Sequence, residues 1–211
     1  EMEAAARQGY SVIALGVDQQ FCGFFVIADQ LKSDTAQAIA QLKDMGITPV
    51  MVTGDHPLSA HAIARQAGID EVIAKVLPQE KGEVVKRFQN EHKVAMVGDG
   101  INDAVALTQA DVGIAIGSGS DVAVESADII LMKESIADVA TAIRLSKAVI
   151  RNIHQNLFWA FFYNSIGIPI AAGVLYAFGG PLLSPVFAGA AMAFSSVCVV
   201  TNALRLRRFK A

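Results

Sequence analysis

The amino-acid sequence predicts an α/β fold, a doubly wound and mainly parallel sheet, followed by a two-helix transmembrane hairpin. Three observations carry that prediction. Short aliphatic and β-branched runs alternate with helical periods from residue 29 to residue 150, the pattern of strands joined by crossover helices. All twenty acidic residues lie before residue 139. Between Arg151 and Arg205 there is no Asp, Glu, Lys or Arg, and Phe, Ile, Val, Ala and Leu fill the interval.

Taken in order, Ser11 to Val17 and Phe21 to Ala28 read as two strands around the turn Asp18-Gln19-Gln20. Ser33 or Asp34 caps a helix to Met45 that Gly46 stops, and Thr48 to Val52 is a strand ending in Thr53-Gly54-Asp55. Pro57 opens the next helix and Gly68 closes it, in the usual Pro-first, Gly-last asymmetry. Val72 to Leu77 is a strand, and Pro78 starts a helix through Phe88 with Val84, Val85 and Phe88 on one face. Val94 to Val97 is a strand running into the glycine-flanked acidic turn Gly98-Asp99-Gly100. Beyond it come a helix at Ala104 to Gln109, a strand at Val112 to Ile116, a short helix at Val122 to Glu125 and a strand at Asp128 to Met132. Ser135, with Asp138 three residues on, forms a capping box for a helix running toward the apolar interval.

That interval has room for two membrane spans of roughly 20 residues each. Phe178-Gly179-Gly180-Pro181 and Ser184-Pro185 break it, giving spans at about 156 to 178 and 183 to 204. Hydrophobic residues make up 53% of the chain and its mean hydropathy is +0.43. Residues 1 to 150 carry a net charge of −8, from twelve Lys and Arg against twenty Asp and Glu; the remaining 61 carry +5. Positive charge at both ends of the hairpin and none in its connection puts both ends in the cytoplasm. The opening EMEAAARQGY reads as a start inside a longer protein, and Cys22 and Cys198 are too few and too separated for a disulfide framework.

Three polar clusters fall at strand ends or helix starts. Asp99 and Asp103, four positions apart with Asn102 between them, suit a hard cation such as Mg²⁺, the alternative being a turn that only reverses the chain. Thr53-Gly54-Asp55 offers a hydroxyl and main-chain amides beside a helix start, where phosphate oxygens bind, or else an ordinary cap. Lys81 stands in the first turn of its helix against the dipole, a small cost that points to an anion nearby or to a solvated surface lysine.

In that order the clusters make up a phosphoryl-transfer kit. TGD at 53 to 55, PQEK at 78 to 81 and GDGIND at 98 to 103 resemble the haloacid dehalogenase-like phosphotransferases, in particular the P-type ATPases. The resemblance implies that Asp99 binds Mg²⁺, that Asp103 supports the metal site, that Asn102 and Thr53 contact the transferred phosphoryl group of ATP, and that Lys81 neutralises it. Asp29, in ADQLKSD, matches the family's acidic residue at the hinge between nucleotide and phosphorylation domains. Tyr163-Asn164 in the first span and Met192 with Ser196 in the second resemble the YN and MxxSS signatures of copper-exporting pumps. Met192 and Ser196 share one helix face, and thioether sulfur selects soft ions such as Cu(I) or Ag(I). Without the resemblance, these residues would equally serve helix packing.

Residues 1–28 are then the end of a nucleotide-binding domain, 29–150 a phosphorylation domain without its first strand and nucleophile, and 151–211 the hairpin with a basic tail. Two departures from the family are His56, where Asn often follows TGD, and Val105, where Pro is usual. The chain contains no DKTGT and no CPC, so the phosphorylated aspartate and the principal thiolate ligands are absent from it. Alternative readings are a truncated non-catalytic membrane remnant and a membrane-anchored phosphatase. The partners implied are the plasma-membrane bilayer, the missing N-terminal portion of the same pump and a cytoplasmic copper chaperone; no nucleic-acid partner is expected.

Overall fold

The computed structural model describes residues 2, 5, 10–27, 31–99, 101–117, 125–133, 135–181 and 184–209. It divides into two compact units, 1–140 and 141–211. The division falls inside a continuous helix, ten residues before the boundary expected at 150/151.

The first unit opens with the hairpin. Strands β1 (Ser11–Val17) and β2 (Gln20–Ile27) run antiparallel, with Ser11 opposite Ile27 and Val17 opposite Gln20. Asp18 and Gln19 take φ of 48° and 63°, the left-handed pair that a two-residue hairpin turn requires. Helix α1 (Thr35–Asp44) buries Ala38, Ile39 and Leu42 and stops before Gly46. Strand β3 (Val50–Val52), helix α2 (Pro57–Ala67) and strand β4 (Glu71–Ile73) follow. Gly68 ends α2 at φ 77°, a conformation that costs a side-chain-bearing residue strain.

The strand read as far as Leu77 ends at Ile73. There the main chain turns back: Lys75 has φ 56°, and the N–H groups of Lys75 and Val76 donate to the carbonyls of Asp55 and Thr53. The helix read from Pro78 begins as a 3₁₀ turn, Pro78–Glu80, before α3 (Lys81–Gln89). Strand β5 (Ala95–Gly98), a 3₁₀ turn (Ile101–Asp103), α4 (Ala104–Gln109), β6 (Val112–Ile116) and β7 (Ile129–Leu131) complete the α/β unit. The helix expected at Val122 to Glu125 lies, except for Glu125, outside the described residues, as do Asp29 and Gly100.

All pairing beyond the hairpin is parallel, which the crossover helices dictate. Beyond the hairpin the described strands form two sheets, β3–β4 and β5–β6–β7, where a single sheet was expected. Strand β6 is central in its sheet, so Gly113, Ile114 and Ala115 are buried against Leu107 and Ala106 of α4. The approach is close enough that a Cβ on Gly113 would lie 2.6 Å from the Leu107 carbonyl oxygen.

Helix α5 (Ile136–Ala171) starts in the first unit and continues into the second. Ser135 caps it one-sidedly: its Oγ accepts from the Ala137 N–H at 3.1 Å, while Asp138 contributes a main-chain N–H to the Ser135 carbonyl and not its carboxylate. The same Oγ donates to Asp34 at the start of α1.

The second unit contains the rest of α5, a short α6 (Val174–Ala177), α7 (Pro185–Leu204) and a 3₁₀ turn at Arg205–Arg208. The first span read at 156 to 178 is not one uninterrupted helix, because α5 ends at Ala171 and Gly173 reverses the backbone at φ 89°. Polar His154, Gln155 and Asn156 also lie in α5 ahead of the apolar run. By length and hydropathy one described helical stretch, Gly189–Arg208, is able to cross a membrane. On α5, Asn156, Ala160, Tyr163, Gly167 and Ile170 are half-buried, and on α7 Ser195, Cys198, Val199 and Asn202 are. Each set recurs every three or four residues, the stripe along which helices pack.

Candidate active site and membrane residues

The candidate site is assembled at the C-terminal ends of β3 and β5, where parallel α/β sheets bind ligands. After β3, the Thr53 hydroxyl donates to Asp55 Oδ2 at 2.8 Å and accepts from the Asp55 N–H at 3.2 Å. This closes a tight loop over Gly54. Main-chain bonds hold that loop to residues 75 and 76, immediately before Pro78. The cap of α2 is supplied by His56, whose Nδ1 accepts from the Leu58 N–H at 3.3 Å. His56 thus does the local work that the sequence left open for Thr53 or Asp55, and it leaves their oxygens to each other.

After β5 the chain doubles back so closely that a Cβ on Gly98 would meet Asp103 Cβ and Oδ2 at 2.7 Å. Glycine is required there by space. Asp103 occupies the cap position of α4, yet its carboxylate makes no capping bond. Instead its Oδ1 accepts from Lys81 Nζ at 2.6 Å, with both side chains largely buried. The anion that a first-turn lysine calls for is therefore Asp103, which offsets the unfavourable dipole at the start of α3. Asp99 and Asn102 are exposed at the mouth of the turn.

The structure thus brings PQEK to GDGIND through Lys81 and Asp103, and ties TGD to the segment leading into PQEK. It does so with residues 22 apart in sequence. Among the described residues, no group of three or more His, Cys, Asp or Glu converges as a metal cluster. Asp99 with Asp103 nevertheless fits Mg²⁺, which takes one or two carboxylates and completes its octahedron with water and substrate phosphate.

The membrane residues are placed differently. Tyr163 faces the packing stripe of α5, its ring 6.0 Å from that of Trp159. Asn164 lies exposed beside it and donates to the Ala160 carbonyl at 2.9 Å. Met192 is 75% exposed, and Ser196 donates to the Met192 carbonyl at 3.3 Å. Met192 and Ser196 share one face of α7 on the flank of its packing stripe, and among the described residues neither is hydrogen-bonded to Tyr163 or Asn164.

Sequence reasoning missed the most connected polar group of this unit. Asn152 Nδ2 donates to the Asn202 carbonyl (2.8 Å), Asn156 Nδ2 to Asn152 Oδ1 (3.2 Å), and Asn202 Nδ2 to Asn156 Oδ1 (2.9 Å). The signal was present: amides at i and i+4 in a charge-free stretch must find partners. The Asp34–Ser135 bond joins residues 101 apart and left no such local signal.

Outside the site, Lys93 pairs with Asp111 at 2.6 Å. The hydrogen bond from Lys93 first, then those from the Val94 N–H and Gln89, lower the Asp111 carboxyl to about 2, while Asp111 raises Lys93.

Comparison with known proteins accords with this geometry. Residues 2–111 match the haloacid dehalogenase-like hydrolase family model. The chain is 54% identical over 98% of its length to copper-transporting ATPase 1 of Rhizobium meliloti (strain 1021), of which it covers 25%. It is 55% identical over 98% of its length to a copper-exporting P-type ATPase of Vibrio cholerae serotype O1, of which it covers 23%. Among solved structures, a zinc-transporting PIB-type ATPase in the E2·Pi state matches 97% of the chain with a TM-score of 0.80 at 35% identity, the chain covering 33% of it. The chain thus spans about a quarter of the curated relatives it matches. It belongs to the haloacid dehalogenase-like hydrolase family and corresponds to the C-terminal portion of the copper-exporting P-type ATPases.

Proposed function

We propose that this chain is the C-terminal part of an ATP-driven pump that exports Cu(I), or the chemically similar Ag(I), from the cytoplasm. The observation that carries the reading is identity of 54% and 55% to copper pumps along 98% of the chain, through the site and the apolar helices alike. The zinc pump is more distant, at 35%. A thioether and hydroxyl on one face of α7, with a phenol and an amide in α5, suit a soft monovalent ion.

In this reading Asp99 and Asp103 hold Mg²⁺, which when bound neutralises charge on the phosphate oxygens. Thr53, Gly54, Asp55 and Asn102 orient the transferred phosphoryl group, and Lys81, already beside Asp103, supplies fixed positive charge to it. Positioning and charge stabilisation carry most of this chemistry. Tyr163, Asn164, Met192 and Ser196 contribute to the copper path. The aspartate that receives the phosphoryl group belongs to an upstream strand. Strands β3 and β5 each pair on one side only among the described strands, and a strand between them would unite the two sheets as one doubly wound sheet.

The β1–β2 hairpin supports the same division. It exposes Phe21 and Phe25, and a two-stranded hairpin with bare aromatic residues needs the remainder of its sheet. We assign it to the end of the nucleotide-binding domain, residues 29–150 to the phosphorylation domain and 151–211 to a transmembrane hairpin with cytoplasmic ends. The partners are the lipid bilayer, the upstream portion of the pump and a cytoplasmic copper chaperone. The test is Asp99→Ala in the full-length protein: Mg²⁺-dependent phosphoenzyme formed from ATP should disappear, and normal accumulation would overturn the assignment.

A further inference from the structure

The asparagine ring joins the two long helices of the second unit at the end nearest Arg205. Each amide uses its nitrogen as donor and its oxygen as acceptor. Asn202 Oδ1 takes its bond from Arg205 at 3.3 Å, and the Asn202 carbonyl, in the last turn of α7, accepts from both the Arg205 N–H and Asn152. Turning any one of the Asn152 or Asn156 amides over would set donor against donor and acceptor against acceptor. The donor and acceptor pattern therefore admits one register between the helices. Asn152 is buried, and Asn156 and Asn202 are half-buried, so the bonds are shielded from competing water.

That register sets the depth of the copper-path residues. Tyr163 lies seven residues beyond Asn156 on the same stripe of α5, and Ser196 lies six residues before Asn202 on α7. At 1.5 Å per residue, these offsets place both about 10 Å from the ring. A slip of one helical turn, about 5.4 Å, would take Tyr163 off the level of Ser196.

We propose that Asn152, Asn156 and Asn202 are positioning residues for ion transport: their closed hydrogen-bond ring sets the register that holds Tyr163 of α5 and Ser196 of α7 at one depth, with Met192 about one turn further along α7. The inference rests on the reading of those three as part of the copper path. It assigns no metal ligand to the asparagines themselves.

The experiment uses the full-length pump in lipid vesicles with Cu(I) held by a thiol buffer. Asn156→Leu and Asn202→Leu should each raise the Cu(I) concentration for half-maximal ATP hydrolysis on the order of tenfold, the usual cost of losing a group that orients a metal ligand. The maximal rate should fall by much less, and metal-free phosphorylation by inorganic phosphate should persist. The double variant should resemble the stronger single one, because one break opens the ring. Should the leucine variants fail to accumulate, Asn156→Asp keeps the acceptor for Asn202 and removes the donor to Asn152, and it should show the same direction of shift. An unchanged half-saturation point, a loss confined to the maximal rate, or additive single effects would overturn the inference. Met192→Ala, measured in parallel, separates the layers. A shift there without one in the asparagine variants refutes the ring alone, and no shift in Met192→Ala refutes the copper path and this inference with it.

Discussion

Lys81 Nζ and Asp103 Oδ1 stand 2.6 Å apart, with their side chains only 16% and 11% exposed. This pair closes the polypeptide around the candidate site, because it fastens the first turn of α3 to the turn that follows β5. Its removal has a stability consequence separate from any effect on phosphate.

Lys81→Met leaves the Asp103 carboxylate buried and unpaired, and should destabilise the chain by about 3 kcal/mol. Adding Asp103→Asn removes the orphaned charge and should restore part of that loss. Denaturant unfolding of the chain in detergent, compared across the wild type and both variants, checks the order. A double variant weaker than Lys81→Met would contradict it.

Gly98 and Gly113 predict steric costs at two different places. A methyl group at Gly98 drives into Asp103, and one at Gly113 into the Leu107 carbonyl. Each alanine substitution should cost about 1–3 kcal/mol. Only Gly98→Ala should also lower phosphoenzyme formation in the full-length protein, since only that methyl displaces a site residue. Equal loss of phosphoenzyme in Gly113→Ala would remove the distinction.

The Lys93–Asp111 pair sets a pH window. The Asp111 carboxyl is lowered to about 2 in the folded chain, so its stabilisation is complete above the unfolded value of about 3.9 and is lost as pH falls through the folded one. Lys93 is raised, so its part is complete below about 10.4 and is lost as pH rises through the folded value. The stability difference between wild type and Asp111→Asn should therefore be flat between these limits and shrink on acidification from pH 4 toward pH 2. Lys93 is almost wholly exposed, so added salt should reduce the difference. A difference that grows on acidification would contradict the assignment.

Residues 1–211 alone should hydrolyse no ATP, because no DKTGT segment is present to accept the phosphoryl group. Copper-stimulated phosphate release by the purified chain would show that another group serves as acceptor. Supplying the upstream portion of the protein in the same membrane should be the condition under which turnover appears.

Much of the fold was legible because its signals are local. Pro57 and Gly68 bracket α2, Ala104 to Gln109 and Val112 to Ile116 fold as read, and Gly46 stops α1, since caps, breakers and periodicity act within a turn or two. The strand ends were less legible. Val72 to Leu77 has strand composition throughout, but hydrogen bonds from residues 75 and 76 back to Thr53 and Asp55 outcompete extension after Ile73.

The sequence by itself determined the order of the elements, the succession TGD, PQEK and GDGIND, and the apolar character of the final third. Those properties depend on neighbours a few positions away. Only the tertiary structure decided that Lys81 answers Asp103, that His56 caps α2, that Asp34 receives the Ser135 hydroxyl and that three asparagines close a ring between helices. Apart from the His56 cap, these choices join groups as much as 22 to 101 residues apart, and a polar side chain settles on such a partner only when packing has removed water as the alternative.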